Sequence, residues 1–206
     1  MITPARTPAL PVSSSDCEQL AALHLEALPD SLVSELGLGY AKSFYRYLSR
    51  SRDERVFVVR SESGRVISGC VLSLRPRTLR RRLLLHTPLV LHAGLWLLRR
   101  CFKKKPVGAD VRRQVATTPD PVPDHMPELI LIFTEASSRC RGAGATLLSQ
   151  CEAFLRTANL REYAVRTVDE HGNRALEFYK RNGFVPIGQS MDHGRVFQVF
   201  RKRVGS

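Results

Sequence analysis

Arg139-Cys140-Arg141-Gly142-Ala143-Gly144-Ala145 is the stretch around which the rest of the chain can be ordered. Upstream lies Glu-Leu-Ile-Leu-Ile-Phe-Thr at 128–134, a near-continuous apolar run of the kind seen in strands buried on both faces. Downstream, Leu147, Leu148, Cys151, Phe154, Leu155 and Ala158 recur at helical spacing. A glycine-rich turn between strand and helix has a physical use. The first N–H groups of a helix have no partner inside it, and the positive end of the helix dipole adds to them, so the turn can hold an anion. Gly142 and Gly144 would let a phosphate approach the backbone with no Cβ in the way, and Arg139 and Arg141 add charge. A pyrophosphate suits such a turn, and so does a plain connection that binds nothing. The dinucleotide fingerprint is not met, because Leu147 stands where its third glycine belongs. No Gly-Lys-Ser/Thr follows to make a P-loop.

Working outward, residues 162–168 form another apolar strand. Asn173 caps a short helix that ends at Asn182-Gly183. Residues 184–187 and 196–200 make a closing strand pair around Asp192-His193-Gly194. Toward the N-terminus, residues 55–60 and 65–74 read as a hairpin about Ser61-Glu62-Ser63-Gly64. Ser15-Asp16-Cys17-Glu18 has capping-box spacing and opens a helix to about Leu28, where Pro29 breaks it. Short helical segments follow at 32–36 and 39–48, the second with Tyr40, Phe44, Tyr45 and Leu48 on one face. The order is helix-helix, hairpin, insertion, strand-helix-strand-helix, hairpin, which predicts a mixed α/β (α+β) domain. Residues 1–14 are expected to be loosely ordered, and 15–203 to form one domain with an insertion at about 75–127.

That insertion holds most of the excess charge. The 206-residue chain has 32 Lys/Arg against 19 Asp/Glu, a formal net charge of +13. Ten Lys/Arg and no Asp/Glu fall between Arg75 and Lys105, which leaves only +3 to the rest. Arg80-Arg81-Arg82 is followed by 16 mostly apolar residues, 83–98, and then by Arg99-Arg100-Cys101-Phe102-Lys103-Lys104-Lys105. The apolar stretch is too short and too broken to span a bilayer. Thr87-Pro88 suits a helix start. Three readings rank in this order: a helix packed on the core with a solvated basic end; an interfacial helix across 80–105 on anionic lipid, with Trp96 near the headgroups; and a surface for nucleic acid. The third is disfavoured, since no nucleic-acid-reading motif is present and aromatics are only 7 %. After the insertion, Pro119, Pro121, Pro123 and Pro127 exclude helix or inner strand. The N-terminus lacks a secretory h-region. Five widely spaced cysteines with no C-x-x-C suggest a reducing, cytoplasmic setting and neither a disulfide frame nor a zinc site. The six histidines have no metal-ligand spacing, and no G-x-S-x-G elbow occurs.

The sequence resembles the GNAT superfamily of acyl-CoA-dependent N-acetyltransferases. Its Gln/Arg-x-x-Gly-x-Gly/Ala signature is met by Arg139-x-x-Gly142-x-Gly144. A second motif, Asn-x-x-Ala followed by Tyr and Gly-Phe, is similar to Asn173-Arg174-Ala175-Leu176-Glu177-Phe178-Tyr179-Lys180-Arg181-Asn182-Gly183-Phe184. The likeness is good over 128–201, weak over 15–74, and fails over the long insertion. Leu28-Pro29-Asp30-Ser31 and the basic-apolar insertion also resemble members associated with surface-polysaccharide assembly.

The resemblance implies a mostly antiparallel mixed sheet flanked by helices and splayed between the family's fourth and fifth strands, here 128–134 and 162–168. Coenzyme A would lie in that gap. Its pantetheine would pair with the backbone of Ile132, Phe133 and Thr134 and bond to Asn173; its pyrophosphate would sit on Arg139, Cys140, Arg141, Gly142, Ala143, Gly144 and Ala145. The implied reaction moves an acetyl group from acetyl-CoA to a primary amine of a small molecule, such as an amino sugar of a surface-polysaccharide precursor, without a metal. Tyr179 is the implied acid toward the leaving sulfur, with a packed aromatic as the plainer reading. Glu128 is the implied base, with a solvated strand-start residue as the equal alternative. Two other functions stay open: a non-catalytic, coenzyme-A-binding or membrane-docking module, and an acyltransferase served by an acyl carrier protein. The setting is cytoplasmic or peripheral at the inner membrane face, and monomer and homodimer are both open.

Overall fold

The computed structural model describes residues 12–86, 89–91, 94, 120–192 and 194–205. The expectations for residues 1–11 and for most of the insertion, including Thr87-Pro88, Trp96 and the basic run ending at Lys105, lie outside the described residues.

Three helices come first: α1 (Ser14–Ala27), α2 (Leu32–Glu35) and α3 (Leu38–Arg50). The capping box that opens α1 lies two residues earlier than the Ser15–Glu18 spacing suggests. Ser13 is the N-cap, and Asp16 returns the bond to the Ser13 N–H. Asp16 is the better partner because it also takes Arg60 from the sheet, at 2.8 Å. The hairpin β1 (Glu54–Arg60) and β2 (Val66–Ser73) follows, then α4 (Pro76–Leu84), with its proline in the first turn. β3 (Glu128–Thr134) leads through a 3-10 turn (Ala136–Ser138) to α5 (Ala143–Thr157). Then come β4 (Glu162–Val168), α6 (Arg174–Arg181), β5 (Val185–Asp192) and β6 (Arg195–Arg203).

The six strands form one sheet in the order β1-β2-β3-β4-β6-β5. Every neighbouring pair is antiparallel except β3 with β4, which run parallel. One face carries α1 and α3, packed through Leu20, Ala21, Phe44, Tyr45 and Leu48 onto Val58, Val71 and Phe133. The other carries α5 and α6, packed through Leu147, Leu148, Cys151 and Tyr179 onto Leu72, Leu129, Val165 and Phe200. The described part of the proline-rich link, residues 120–127, forms no helix or strand. Its Val122 and Met126 are buried against Ala164 and Val199, so it is part of the core rather than a tether.

Candidate functional site

β3 and β4 are paired at only two positions, Glu128 with Ala164 and Leu129 with Val165. Beyond them the strands part, although β3 stays joined to β2 as far as Thr134, and β4 to β6 as far as Val168. The expected splay is therefore present. The pair counted fourth and fifth in the family is third and fourth among the described strands.

The parting coincides with a bulge. Leu131 faces Val71 and Leu129 faces Leu72, which leaves Ile130 as the extra residue on β3. An inserted residue reverses which backbone groups point to which neighbour. Before the bulge, the Pro127 carbonyl accepts from the Ala164 N–H on β4. After it, the Glu135 N–H donates to Ile67, and the Phe133 carbonyl accepts from the Ser68 hydroxyl on β2 at 2.8 Å. By alternation, Ile132 and Thr134 turn their N–H and C=O groups to the gap. Of the three residues expected to present backbone there, Phe133 is engaged by β2 and its ring is buried under α1 and α3. The Thr134 carbonyl accepts from Arg139 Nε at 3.3 Å.

The turn before α5 has the predicted local chemistry. Gly142 is the N-cap, with φ +89°, and Cys140 also sits in the left-handed region at φ +61°. No side chain caps the helix, so the N–H groups of Ala143, Gly144 and Ala145 have no intrahelical partner; the first such bond runs from Thr146 to Gly142. Arg139, Cys140, Arg141 and Gly142 are exposed. Each of the two glycines also has a reason within the fold. At Gly142 a Cβ would meet nothing within 4 Å, and the backbone conformation is what calls for glycine. At Gly144 a Cβ would lie 3.0 and 3.1 Å from the Phe178 ring, so this glycine lets α6 approach α5.

Asn173 is fully engaged within the protein. Its side-chain carbonyl accepts from the Ala175 N–H, and its amide donates to Thr167 Oγ1 at 3.0 Å and the Val168 carbonyl at 2.6 Å. It thus ties the end of β4 to the start of α6.

Tyr179 is 3 % exposed, with Phe178, Phe184 and Phe200 ring centroids at 5.4, 5.3 and 5.9 Å. Burial first, and Cys70 second, push its hydroxyl well above the ordinary tyrosine value, which keeps it protonated and able to donate.

Glu128 is 7 % exposed rather than a solvated strand start. Its two oxygens accept from Arg166 Nε and Nη2 at 2.8 and 3.2 Å, and Arg166 reaches on to Asp120 at 2.9 Å. Burial opposes charge on Arg166 and Asp120 alike. The shared hydrogen bonds outweigh it, holding Arg166 above its ordinary value and Asp120 below the carboxylate range. Glu128 alternates with Leu129, and Arg166 with Val165, so both lie on the face opposite Tyr179. The two implied catalytic residues therefore flank the splayed region from opposite sides of the sheet.

Sequence reasoning missed Arg166 and Asp120. The only signal was an arginine inside an otherwise apolar or small-residue strand, Tyr-Ala-Val-Arg-Thr-Val at 163–168. It also missed a buried chain at the α1–α2 corner. Tyr45 Oη lies 2.6 Å from His24 Nδ1, and His24 Nε2 lies 2.7 Å from Ser31 Oγ. Ser31 donates to Ser34, which donates to the Leu28 carbonyl, so the order of donors gives His24 its proton on Nε2. Among the described residues no group of His, Cys, Asp and Glu is placed to hold a metal ion.

The acetyltransferase (GNAT) family model matches residues 20–184. The chain belongs to the GNAT acetyltransferase family. Among solved structures it is similar in fold to an aminoglycoside 6'-N-acetyltransferase complexed with coenzyme A (TM-score 0.61, 11 % identity, 94 % of this chain and 93 % of that one). It is likewise similar to a GNAT-family protein from Desulfovibrio desulfuricans (TM-score 0.59, 12 % identity, 94 % and 96 %). A third is the histone acetyltransferase HPA2 and related acetyltransferase structure from Corynebacterium glutamicum (TM-score 0.57, 16 % identity, 96 % of each chain). No curated protein gives a significant sequence match.

Proposed function

We propose that this GNAT protein transfers an acetyl group from acetyl-CoA to a primary amine of a small molecule, with an amino sugar as the first candidate acceptor. The observation that carries the reading is the gap itself. An interior sheet edge with open N–H groups at Ile132 and Thr134 and an open C=O at Ile132 needs partners, and it runs toward three uncapped N–H groups at the start of α5. An extended arm bearing amides, joined to a pyrophosphate, matches both.

Acetyl-CoA, when bound, supplies the activated acyl group as a thioester. The chain's own groups then have separate tasks. The amides of Ala143, Gly144 and Ala145, with Arg139 and Arg141 beside them, bind the diphosphate. Tyr179, kept protonated by burial, donates toward the departing sulfur. An acceptor amine is mostly protonated near neutral pH and must lose a proton. Glu128 on the opposite face is the base in this reading. Each of its oxygens accepts one bond from Arg166, which leaves each a further lone pair for a proton. Holding the two reactants in one gap from two faces supplies much of the rate by orientation alone.

Isothermal titration with coenzyme A and thiol release over a panel of amines (amino sugars, polyamines, peptide N-termini, aminoglycosides) tests the proposal. Coenzyme A binding with turnover on an amino sugar is expected. Binding without turnover on any amine would leave a coenzyme-A-binding module, and turnover only with an acyl carrier protein would replace the donor.

A further inference from the structure

Away from the gap, α3 and the end of α4 enclose a second concavity of about 440 Å³, lined by Ser43, Arg46, Tyr47, Arg50, Ser51 and His86. It holds two guanidinium groups and an imidazole. Arg46 is shared with Glu18 at 2.7 Å, whereas Arg50 has no carboxylate partner among the described residues. His86 packs edge-on to Tyr47, with centroids 4.8 Å apart, and its buried Nδ1 has no hydrogen-bond partner among the described residues. The concavity is therefore rich in donors suited to phosphate.

The helix that leads to His86 has an outer side unusual for a soluble surface. α4 turns Leu79 into the core, and Arg82 to the buried Glu54. Its outer side carries Arg80 and Arg81, and one turn on Leu84 and Leu85, which are 66 % and 74 % exposed. Val90 and Leu91 continue the exposed apolar surface beyond His86. Exposed leucines beside arginines, on the helix that leads to His86 of the donor-lined hollow, form the pattern of a surface resting at a lipid interface. The exposed Arg80 and Arg81 give this side of the helix the charge to approach an anionic leaflet.

We infer that this end of the molecule docks on anionic phospholipid, with a headgroup phosphate held by Arg46, Arg50 and His86 and with Leu84, Leu85, Val90 and Leu91 entering the interface. The inference does not depend on the acetyl-transfer reading, since none of these residues lines the gap between β3 and β4.

The full chain is floated with vesicles of phosphatidylcholine alone, and with vesicles containing about one-third phosphatidylglycerol, at low and high salt. Binding is expected only to the anionic vesicles, weakening with salt. The pair Arg46→Gln/Arg50→Gln is expected to lower it about tenfold or more, and Leu84→Ser/Leu85→Ser to lower it at constant charge. Arg181→Gln/Arg195→Gln, on the other half of the sheet, is the control of equal charge. The Leu84/Leu85 variant carries its changes on exposed side chains, so it keeps the test decisive if the arginine pair fails to fold. Absence of binding, equal binding to neutral vesicles, or equal loss in the control pair would each overturn the inference. So would binding of free glycerol phosphate in the hollow without any vesicle binding, because the ligand would then be a soluble phosphate.

Discussion

Arg166, on β4, donates to both carboxylate oxygens of Glu128, on β3, at the point where the two strands part. The ion pair thus bridges the narrow join between the halves of the sheet. Arg166→Met would leave Glu128 and Asp120 facing each other without their shared cation. Losing one partner of a buried pair costs about 3–5 kcal/mol, and Arg166 is a quarter exposed, so about 2–3 kcal/mol is expected here. Thermal melting should show a fall of roughly 5–10 °C.

Glu128→Gln separates a base from a strut. If Glu128 takes the amine proton, kcat should fall by about 10²–10⁴. A fall in melting temperature with kcat per folded molecule retained would assign Glu128 to structure alone.

Tyr179→Phe keeps the ring among Phe178, Phe184 and Phe200, so stability should change little. Steady-state kinetics should show a lower kcat with KM for acetyl-CoA nearly unchanged. An unaltered kcat would make Tyr179 a packing residue.

Gly144→Ala should destabilise the protein by about 1 kcal/mol, since overpacking costs about 1–3 kcal/mol and the helix regains up to about 1 kcal/mol from alanine. Its Cβ would meet Phe178, so the double variant with Phe178→Leu should recover much of the loss. Additive losses in a denaturation cycle would show that the two positions are not coupled.

His24 makes stability depend on pH. Burial lowers its imidazole from 6.5 to about 4. Between those values the unfolded chain holds a proton that the native state lacks. The neutral-His contribution is therefore intact above pH 6.5 and is lost as pH falls toward 4, by up to about 3 kcal/mol. Urea unfolding at several pH values should give a steeper loss for the native chain than for His24→Gln; parallel curves would remove His24 as the cause.

The fold was legible where residue pattern and turn chemistry agreed. The apolar run at 128–134, the glycine turn and the Asn173 cap each placed an element correctly, because one local interaction dominates each. The bulge at Ile130 was not legible, since nothing in Leu-Ile-Leu-Ile separates a bulged residue from its neighbours. The tie between Glu128 and Arg166 joins residues 38 apart and arises only when β4 is laid beside β3. The reason for Gly144 was hidden for the same cause: it is set by Phe178, on another helix. The capping box was misplaced by two residues because Ser13 and Ser15 both fit the local rule, and the choice falls to Arg60 on a distant strand.

The opening beside β3 also decides what the molecule must shield. A bare strand edge is an invitation to strands of other molecules, and folded proteins usually blunt such edges with charge, proline or a cover. Residues 130–134 carry no lysine and no proline; they are kept from intermolecular pairing by standing inside the V, with β4 as the far wall. A chain cut short before Glu162 would lose that wall, and the same five residues would become a site of self-association.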